Sequence, residues 1–370
     1  MGGIGVTNGV TMGMTVLHVV TSTVRRGAEV FAVDLDRALS ARGFDTTLRA
    51  LAPGPEAGSV DIPTLGRHRF GSATLYRLRH EARTRDVVVG HGSSTLPACA
   101  LATAGLTTPF VYRSIGDPGY WAVSAARHMR TAFLLRRPTV VIALWAGAVG
   151  PLVDRFGVDE ERIRVIPNAV RPDRFRPASD TERTWARGRL DLPVDASVIA
   201  YLGALTPEKD AGAAIEAMAE IPDAVLTIAG EGWERPRLER LAAERAPGRV
   251  RFLGAEDDAR RVALAAADAV VLPSRTEGVP AALIEAGLSE LPVVATAVGG
   301  VPEIVADGET GLLVPPGDPS ALVEALRAVL EQPRRFGTAA RTRCLERFDL
   351  EDVAERWGAV LTEASALQRA

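Results

Sequence analysis

Short apolar runs alternate with longer amphipathic stretches along almost the whole chain. The run Thr15-Val-Leu-His-Val-Val20 predicts a first strand. A turn over 21–27 follows, then a helix from Ala28 to about Arg42 with apolar Val30, Val33, Ala38 and Leu39. Thr46–Leu51 predicts a second strand, Val60–Leu65 a third, and a basic helix falls within Gly71–Arg85. Asp86-Val-Val-Val-Gly90 reads as a buried strand ending at His91, and Ser93 or Ser94 is placed to cap a helix that runs to Ala104. Pro109–Tyr112, Thr139–Leu144 and Ile163–Ile166 are further strands. The prolines of Pro167–Pro177 stop either neighbouring element from running on, and a linker extends to about Pro193. The pattern then repeats, with strands at 197–203, 224–230, 250–254, 269–272 and 293–296, helices between them, and a final amphipathic helix over Leu350–Leu367. Such alternation of strand and helix means α/β architecture with parallel, doubly wound sheets.

Composition narrows the class. At 370 residues the chain is long enough for two domains with full cores. A content of 47% hydrophobic and 24% charged residues is that of an ordinary globular protein. The net charge of −3 hides an asymmetry: residues 1–180 hold 22 arginines and 15 acidic residues, whereas 181–370 hold 20 arginines, one lysine and 31 acidic residues. A basic front facing an acidic back suits two domains that close over an anionic ligand. Nucleic acid as a partner would want a more basic total and interleaved aromatics, so it is not expected. Cys99 and Cys344 fall in separate predicted helices, which argues for a reducing, cytoplasmic setting and against a disulfide framework or zinc site. The uncharged start, Met1 to Val24, lacks a basic leading region and is read as ending in the first strand. The uncharged run 138–153 contains Gly147, Gly150 and Pro151 and is shorter than the roughly 20 residues a spanning helix needs, so no integral membrane segment is expected.

The candidate chemistry concentrates in Pro273–Val305. Asp268-Ala-Val-Val-Leu272 is a strand that runs into a turn, Pro280 suits the first position of a helix over Ala281–Leu288, and Pro292–Thr296 is the next strand. Glu277 therefore sits in a turn at the carboxyl end of a strand, and Glu285 one and a half turns into the helix. Gly278 lets the backbone come close to a ligand. The helix N-terminal N–H groups, around Ala281 and Ala282, suit a phosphate. Two carboxylates beside a phosphate site make sense as acceptors of hydrogen bonds from sugar hydroxyls.

Glu277 and Glu285 at this spacing, followed by Pro-Val-Val-Ala-Thr and Gly-Gly-Val-Pro-Glu, resemble the donor-site signature of family 4 retaining glycosyltransferases. The resemblance implies the GT-B fold, two Rossmann-like domains facing a central cleft. Pro167–Pro177 resembles that family's interdomain crossing. Residues 1–178 would then form the acceptor-side domain, joined by the returning helix at about 350–367, and 179–349 the nucleotide-sugar domain. In the loop Leu202–Asp210, which contributes Gly203, the family has an Arg and a Lys that clamp the donor diphosphate. Lys209, the single lysine among 42 arginines, matches the Lys, while Ala204 stands where the Arg is expected. Arg25–Glu29 lies where the family has a glycine-rich loop; Gly27 matches its second glycine and Arg26 occupies the first. His91 would orient a sugar at the cleft edge. Ile115 stands where many relatives carry a histidine, with Arg113 and Asp117 as nearby candidates for acceptor contacts. A basic helix is expected over Ala122–Arg137; with Arg127, His128, Arg130, Arg136 and Arg137 it is a candidate for contact with anionic lipid at a membrane surface or with an anionic acceptor.

The activity implied is transfer of a sugar, with retention, from a nucleoside diphosphate sugar to an acceptor hydroxyl. UDP is favoured over GDP. No cofactor and no bound metal are expected, because no Asp-x-Asp ends a strand beside the site. The leaving phosphate would itself take the acceptor proton, so Ile115 is compatible with activity. Two alternatives stand beside this one: a nucleotide-sugar epimerase of the same fold, and a non-catalytic partner protein, which Ala204 and Ile115 would favour.

Overall fold

A computed structural model describes residues 13–54, 59–193, 195–255 and 257–367. Residues 1–12 of the uncharged start therefore lie outside the described part. The first half runs β1 (Thr15–Ser22), α1 (Gly27–Ala41), β2 (Asp45–Ala52), α2 (Ser72–Ala82), β3 (Val87–His91), α3 (Thr95–Thr103), β4 (Phe110–Ser114), α4 (Pro118–Trp121), α5 (Ala125–Leu135), β5 (Val140–Ala143), α6 (Val149–Asp154) and β6 (Ile163–Val165). The second half runs α7 (Asp180–Arg189), β7 (Ser197–Leu202), α8 (Ala211–Glu220), β8 (Ala224–Ala229), α9 (Arg235–Arg245), β9 (Val250–Gly254), α10 (Asp257–Ala266), β10 (Ala269–Leu272), α11 (Ala281–Leu288), β11 (Val293–Thr296), α12 (Val301–Ile304), β12 (Gly311–Val314), α13 (Pro319–Glu331), α14 (Pro333–Arg347) and α15 (Leu350–Leu367).

Each half builds one six-stranded parallel sheet, ordered β2-β1-β3-β4-β5-β6 and β12-β11-β10-β7-β8-β9. Strands such as Val87–His91 and Ala224–Ala229 are buried at every position. Helices on both faces require this, which is why these strands are unbroken apolar runs rather than alternating ones. The chain reverses its direction of travel between β1 and β3 in the first sheet, and between β7 and β10 in the second. At such a point the loops leaving two adjacent strands part to opposite faces and open a crevice at the carboxyl ends. The last helix, α15, lies against α1, β3 and β4. Its Val353, Trp357 and Leu361 share one buried cluster with Phe31 and Leu35 of α1 and Val16, Val89 and Val111 of the sheet.

Three local expectations need correction, and one strand has to be added. Val60–Leu65 is not a strand: only Thr64 bridges to Ala50, because Pro63 has no N–H to continue a ladder. Strand β12 was missed, since its four residues are too short to show a period. The basic stretch 122–137 becomes a helix only at Ala125, where the Ser124 hydroxyl accepts from the Arg127 N–H at 3.3 Å. Ser94 occupies the position before α3 but makes no cap; the hydroxyl of Thr95 donates to the Gly92 carbonyl instead, at 2.8 Å.

Candidate functional site

The second sheet's switch point lies between β7 and β10, and the loops leaving those strands carry Lys209 and Glu277. The loop after β7 is held from beneath by backbone. Gly203 N–H donates to the Ala229 carbonyl at 3.1 Å and Leu205 N–H to the Glu231 carbonyl at 2.9 Å. This contact demands glycine opposite: a Cβ on Gly230 would lie 1.7 Å from the Gly203 oxygen, and one on Gly232 would lie 2.2 Å from the Leu205 oxygen. The buried Tyr201 hydroxyl donates to the Ala204 carbonyl at 3.0 Å. Asp210, at φ 46°, turns the chain into α8 and is held by Arg275 Nε at 2.9 Å.

The two loops meet at one ion pair. Lys209 Nζ donates to Glu277 Oε2 at 2.6 Å, and the buried Ser274 hydroxyl donates to Oε1 at 2.7 Å. The Glu277 side chain is only 4% exposed, against 27% for Lys209, so the ammonium faces outward from a carboxylate set in the wall. Beyond the turn, α11 starts at Ala281, with Pro280 before it and no side-chain cap. The first N–H groups of a helix have no acceptor within it, so this end stays electropositive. Glu285 is buried on that helix and is gripped through one oxygen by Nε and Nη2 of Arg260 from α10. Sequence reasoning passed over Arg260, because a partner 25 residues away leaves no local spacing. Ser274, three residues before Glu277 in the same turn, was the more legible omission.

The glycines of this turn serve the protein's own backbone. A Cβ on Gly278 would lie 1.9 Å from the Ile115 carbonyl oxygen of the first half, so its close approach is to the other domain rather than to a ligand. Gly299, at φ +55°, meets the Glu277 oxygen in the same way, and Gly300 N–H donates to the Gly278 carbonyl at 2.8 Å.

The first sheet's switch point, between β1 and β3, is built differently. Arg26 and Gly27 are exposed at the start of α1, which no side chain caps. A Cβ on Gly27 would meet no atom within 4 Å, so packing does not require glycine there. Two residues on, Glu29 is 3% exposed, and burial pushes its carboxyl up to about 7. His91 is 1% exposed and pairs through Nε2 with His18 Nδ1 at 3.1 Å, its ring 6.0 Å from that of Trp357. Direct contact with a sugar is therefore closed to His91 in this conformation, and burial holds its pKa well below the usual range. Arg113, also 1% exposed, is likewise withdrawn from the surface where an acceptor would bind. Asp117 accepts from the Gly119 N–H at 2.7 Å.

Two further features bound the site. A cavity of about 370 Å³ lies between α8 and α13, lined among others by Asp210, Glu216, Arg237, Arg275 and Asp318; none of the expected donor residues borders it. Among the described residues, no group of three or more His, Cys, Asp or Glu could hold a metal ion, and no helix is long and apolar enough to cross a membrane.

Comparison with known proteins places this geometry. A family model described as Glycosyltransferase Family 4 matches residues 25–174, and one described as Glycosyl transferases group 1 matches residues 183–343. The lipopolysaccharide core biosynthesis glycosyltransferase LpsE of Rhizobium meliloti is 30% identical over 325 residues, 87% of this chain and 89% of that protein. The chain belongs to the family 4 glycosyltransferases. A D-inositol 3-phosphate glycosyltransferase of Geodermatophilus obscurus is 36% identical over 216 residues, 54% of this chain but only 47% of that relative's own length. The solved structure of Anabaena HepE in complex with UDP and glucose has a TM-score of 0.83 at 22% identity, covering 94% of this chain and 99% of that one. The family 4 enzyme thus has GT-B architecture, with its two parallel sheets meeting at their carboxyl ends through Gly278 and Ile115.

Proposed function

We propose that this family 4 enzyme moves a hexosyl group, with retention, from a nucleoside diphosphate sugar to an acceptor hydroxyl, using UDP in preference to GDP and no bound metal or cofactor. The observation that carries this reading is the Lys209–Glu277 pair, held at 2.6 Å across the second sheet's switch point and beside the uncapped start of α11. In the unliganded pair each charge neutralises the other. A diphosphate entering the crevice draws Lys209 and meets the Ala281 and Ala282 N–H groups, which releases the Glu277 carboxylate to accept from hydroxyls of the transferred sugar. Arg260 stands in for donors on Glu285 in the same manner, at the place where ribose hydroxyls would bind. As the glycosidic bond to phosphate breaks, negative charge grows on the leaving oxygen, and fixed cations and N–H groups already aimed at it stabilise that charge. The acceptor proton passes to the leaving phosphate, so no protein base is required, in keeping with Ile115.

Arg26 and Gly27 belong to the same reading. An exposed cation at an uncapped helix start, beside a glycine that packing does not require, suits the diphosphate from the opposite domain. It also offsets Ala204. The free, buried cysteines suit a reducing cytoplasm. On α5, Arg127 and Arg130 are exposed beside Met129 and Phe133, 68% and 58% exposed, a face that fits peripheral contact with anionic lipid.

The test is UDP release from UDP-glucose and related donors, with NMR assignment of the product's anomeric configuration. Inverted product would overturn retention. Interconversion of the nucleotide sugar without transfer would mark an epimerase, and no donor turnover at all would overturn the reading. Co-sedimentation with phosphatidylglycerol vesicles, lost in an Arg127→Glu, Arg130→Glu double variant, checks the lipid contact.

A further inference from the structure

Three polar side chains interrupt or end the apolar layer that α1 and α15 cover on the first sheet. Val16 of β1, Val87 and Val89 of β3 and Val111 of β4 belong to that layer. His18, in the middle of β1, and His91 and Arg113, at the carboxyl ends of β3 and β4, follow them at the same period-two positions. An apolar residue at position 113 would have continued the pattern. Instead a guanidinium is buried 3.9 Å from the centre of the Phe31 ring, directly across the ladder from His91. Its Nη2 donates to Asn168 Oδ1 at 3.0 Å, while its Nε and Nη1 have no hydrogen-bond partner among the described residues. Burying a cation that makes one hydrogen bond costs stability. The Phe31 ring and the nearby Glu29 carboxyl favour the cation, but with two of its three guanidinium nitrogens unpartnered among the described residues they give fold stability only a weak reason for an arginine here.

The single hydrogen bond leads across the domain boundary. Asn168, 6% exposed in the segment after β6, uses Nδ2 to donate to the Val279 carbonyl at 3.1 Å. Val279 lies two residues after Glu277 and one before Pro280, at the mouth of α11. Beside it, Gly278 rests on the Ile115 carbonyl, two residues beyond Arg113. The exit of β4 thus holds the 277–280 turn twice, once through backbone and once through Arg113 and Asn168.

We propose that Arg113 is a positioning residue for glycosyl transfer, which acts through Asn168 to set the Glu277–Pro280 turn against the acceptor-side sheet. The proposal rests on Glu277 serving the transferred sugar. Lys209 and Glu285 stand on elements that this link does not hold, so nucleotide binding and turnover separate.

Asn168→Asp is the decisive variant. A carboxylate pairs with Arg113 better than the amide does, but it has no N–H for the Val279 carbonyl. If Arg113 and Asn168 served only the fold, Asn168→Asp would match or exceed the wild-type melting temperature and keep wild-type turnover. Positioning predicts that it melts no lower than wild type, yet loses at least tenfold in kcat for UDP release from UDP-glucose, with the Kd for UDP within twofold. Asn168→Ala should lose a similar factor, and adding Arg113→Met to it should cost no more than the worse single change, because one chain of contacts is broken only once. Wild-type kcat in Asn168→Asp, a parallel fall in UDP affinity, or multiplying effects in the double variant would each overturn the proposal. A wild-type enzyme that turns over no nucleotide sugar would instead overturn the reading of Glu277 on which it rests.

Discussion

Each switch point lies where a six-stranded parallel sheet reverses its direction of travel, two strands from one edge in the first sheet and at the middle of the second, yet the two hold charge in opposite ways. Between β7 and β10 the carboxylates are set in the wall and covered by cations that reach outward: Lys209 on Glu277, Arg260 on Glu285. Between β1 and β3 the titratable groups Glu29, His18, His91 and Arg113 are drawn inside, while Arg26 and Gly27 stay at the surface. The first arrangement can exchange its partners for a ligand, because each ion pair has one member near solvent. The buried groups of the second have no surface to offer a ligand, so any part they play runs through the elements they hold. A side chain at the end of a strand is thus a binding group or a positioning group according to which helix packs over it.

The comparison breaks first at Lys209. Lys209→Ala should lower turnover by roughly two to three orders of magnitude, as loss of one preorganised donor to a developing anion does. It should also lower the melting temperature, since among the described residues it leaves the Glu277 carboxylate with only the Ser274 hydroxyl as a side-chain hydrogen-bond donor. Turnover within threefold of wild type would mean that the pair is only a structural bridge.

At the other switch point the prediction concerns pH. The Glu29 carboxyl is raised from 4.5 to about 7 by burial, against the pull of Arg26 and Arg113. The unfolded chain ionises near the lower value and the folded one near the higher, so the folded state binds more protons between them. Stability is fully present below about pH 4.5 and falls as pH rises through about 7, by up to about 3 kcal/mol. Glu29→Gln removes this loss, so its melting temperature relative to wild type should rise between pH 5 and pH 8. An unchanged difference would mean that Glu29 is not held protonated. His18, lowered to about 3 by burial, works in the opposite sense: its stability is present above about pH 6.5 and is lost as pH falls towards 3, in both proteins alike.

Glu285→Ala sharpens the donor side. It should weaken binding of UDP by roughly 1–3 kcal/mol, the loss of charge-assisted hydrogen bonds. Titration calorimetry on a folded variant giving wild-type affinity would remove Glu285 from the site. The smallest effect is expected at Arg26, the one exposed cation proposed to cross the cleft. Arg26→Ala should cost about tenfold in turnover, while the melting temperature stays put because the side chain is exposed. Normal turnover would leave Lys209 and the α11 N–H groups as the whole clamp.

Much of the donor side was legible before any coordinates. Glu277, Gly278, Ala281, Ala282 and Glu285 lie in one strand–turn–helix unit, and helix α11 spans Ala281–Leu288 as its pattern implied. Turn, helix start and side-chain spacing there are local properties of neighbouring residues, so a sequence carries them directly. Helix α15, Leu350–Leu367, was equally plain from its amphipathic period.

What the sequence could not carry was set by contacts between distant segments. His91 ends a strand on the cleft side, as its pattern predicts, yet α15 returns from more than 250 residues away and, with His18 of β1, shuts the ring in. Gly278 is small for the sake of Ile115 in the other domain, and Arg260 finds Glu285 only once β9, β10 and their helices have packed. Period and turn chemistry fix which way a side chain leaves the backbone. Whether it then meets solvent, a ligand or another helix depends on what the rest of the chain brings over it, and that is decided only by tertiary packing.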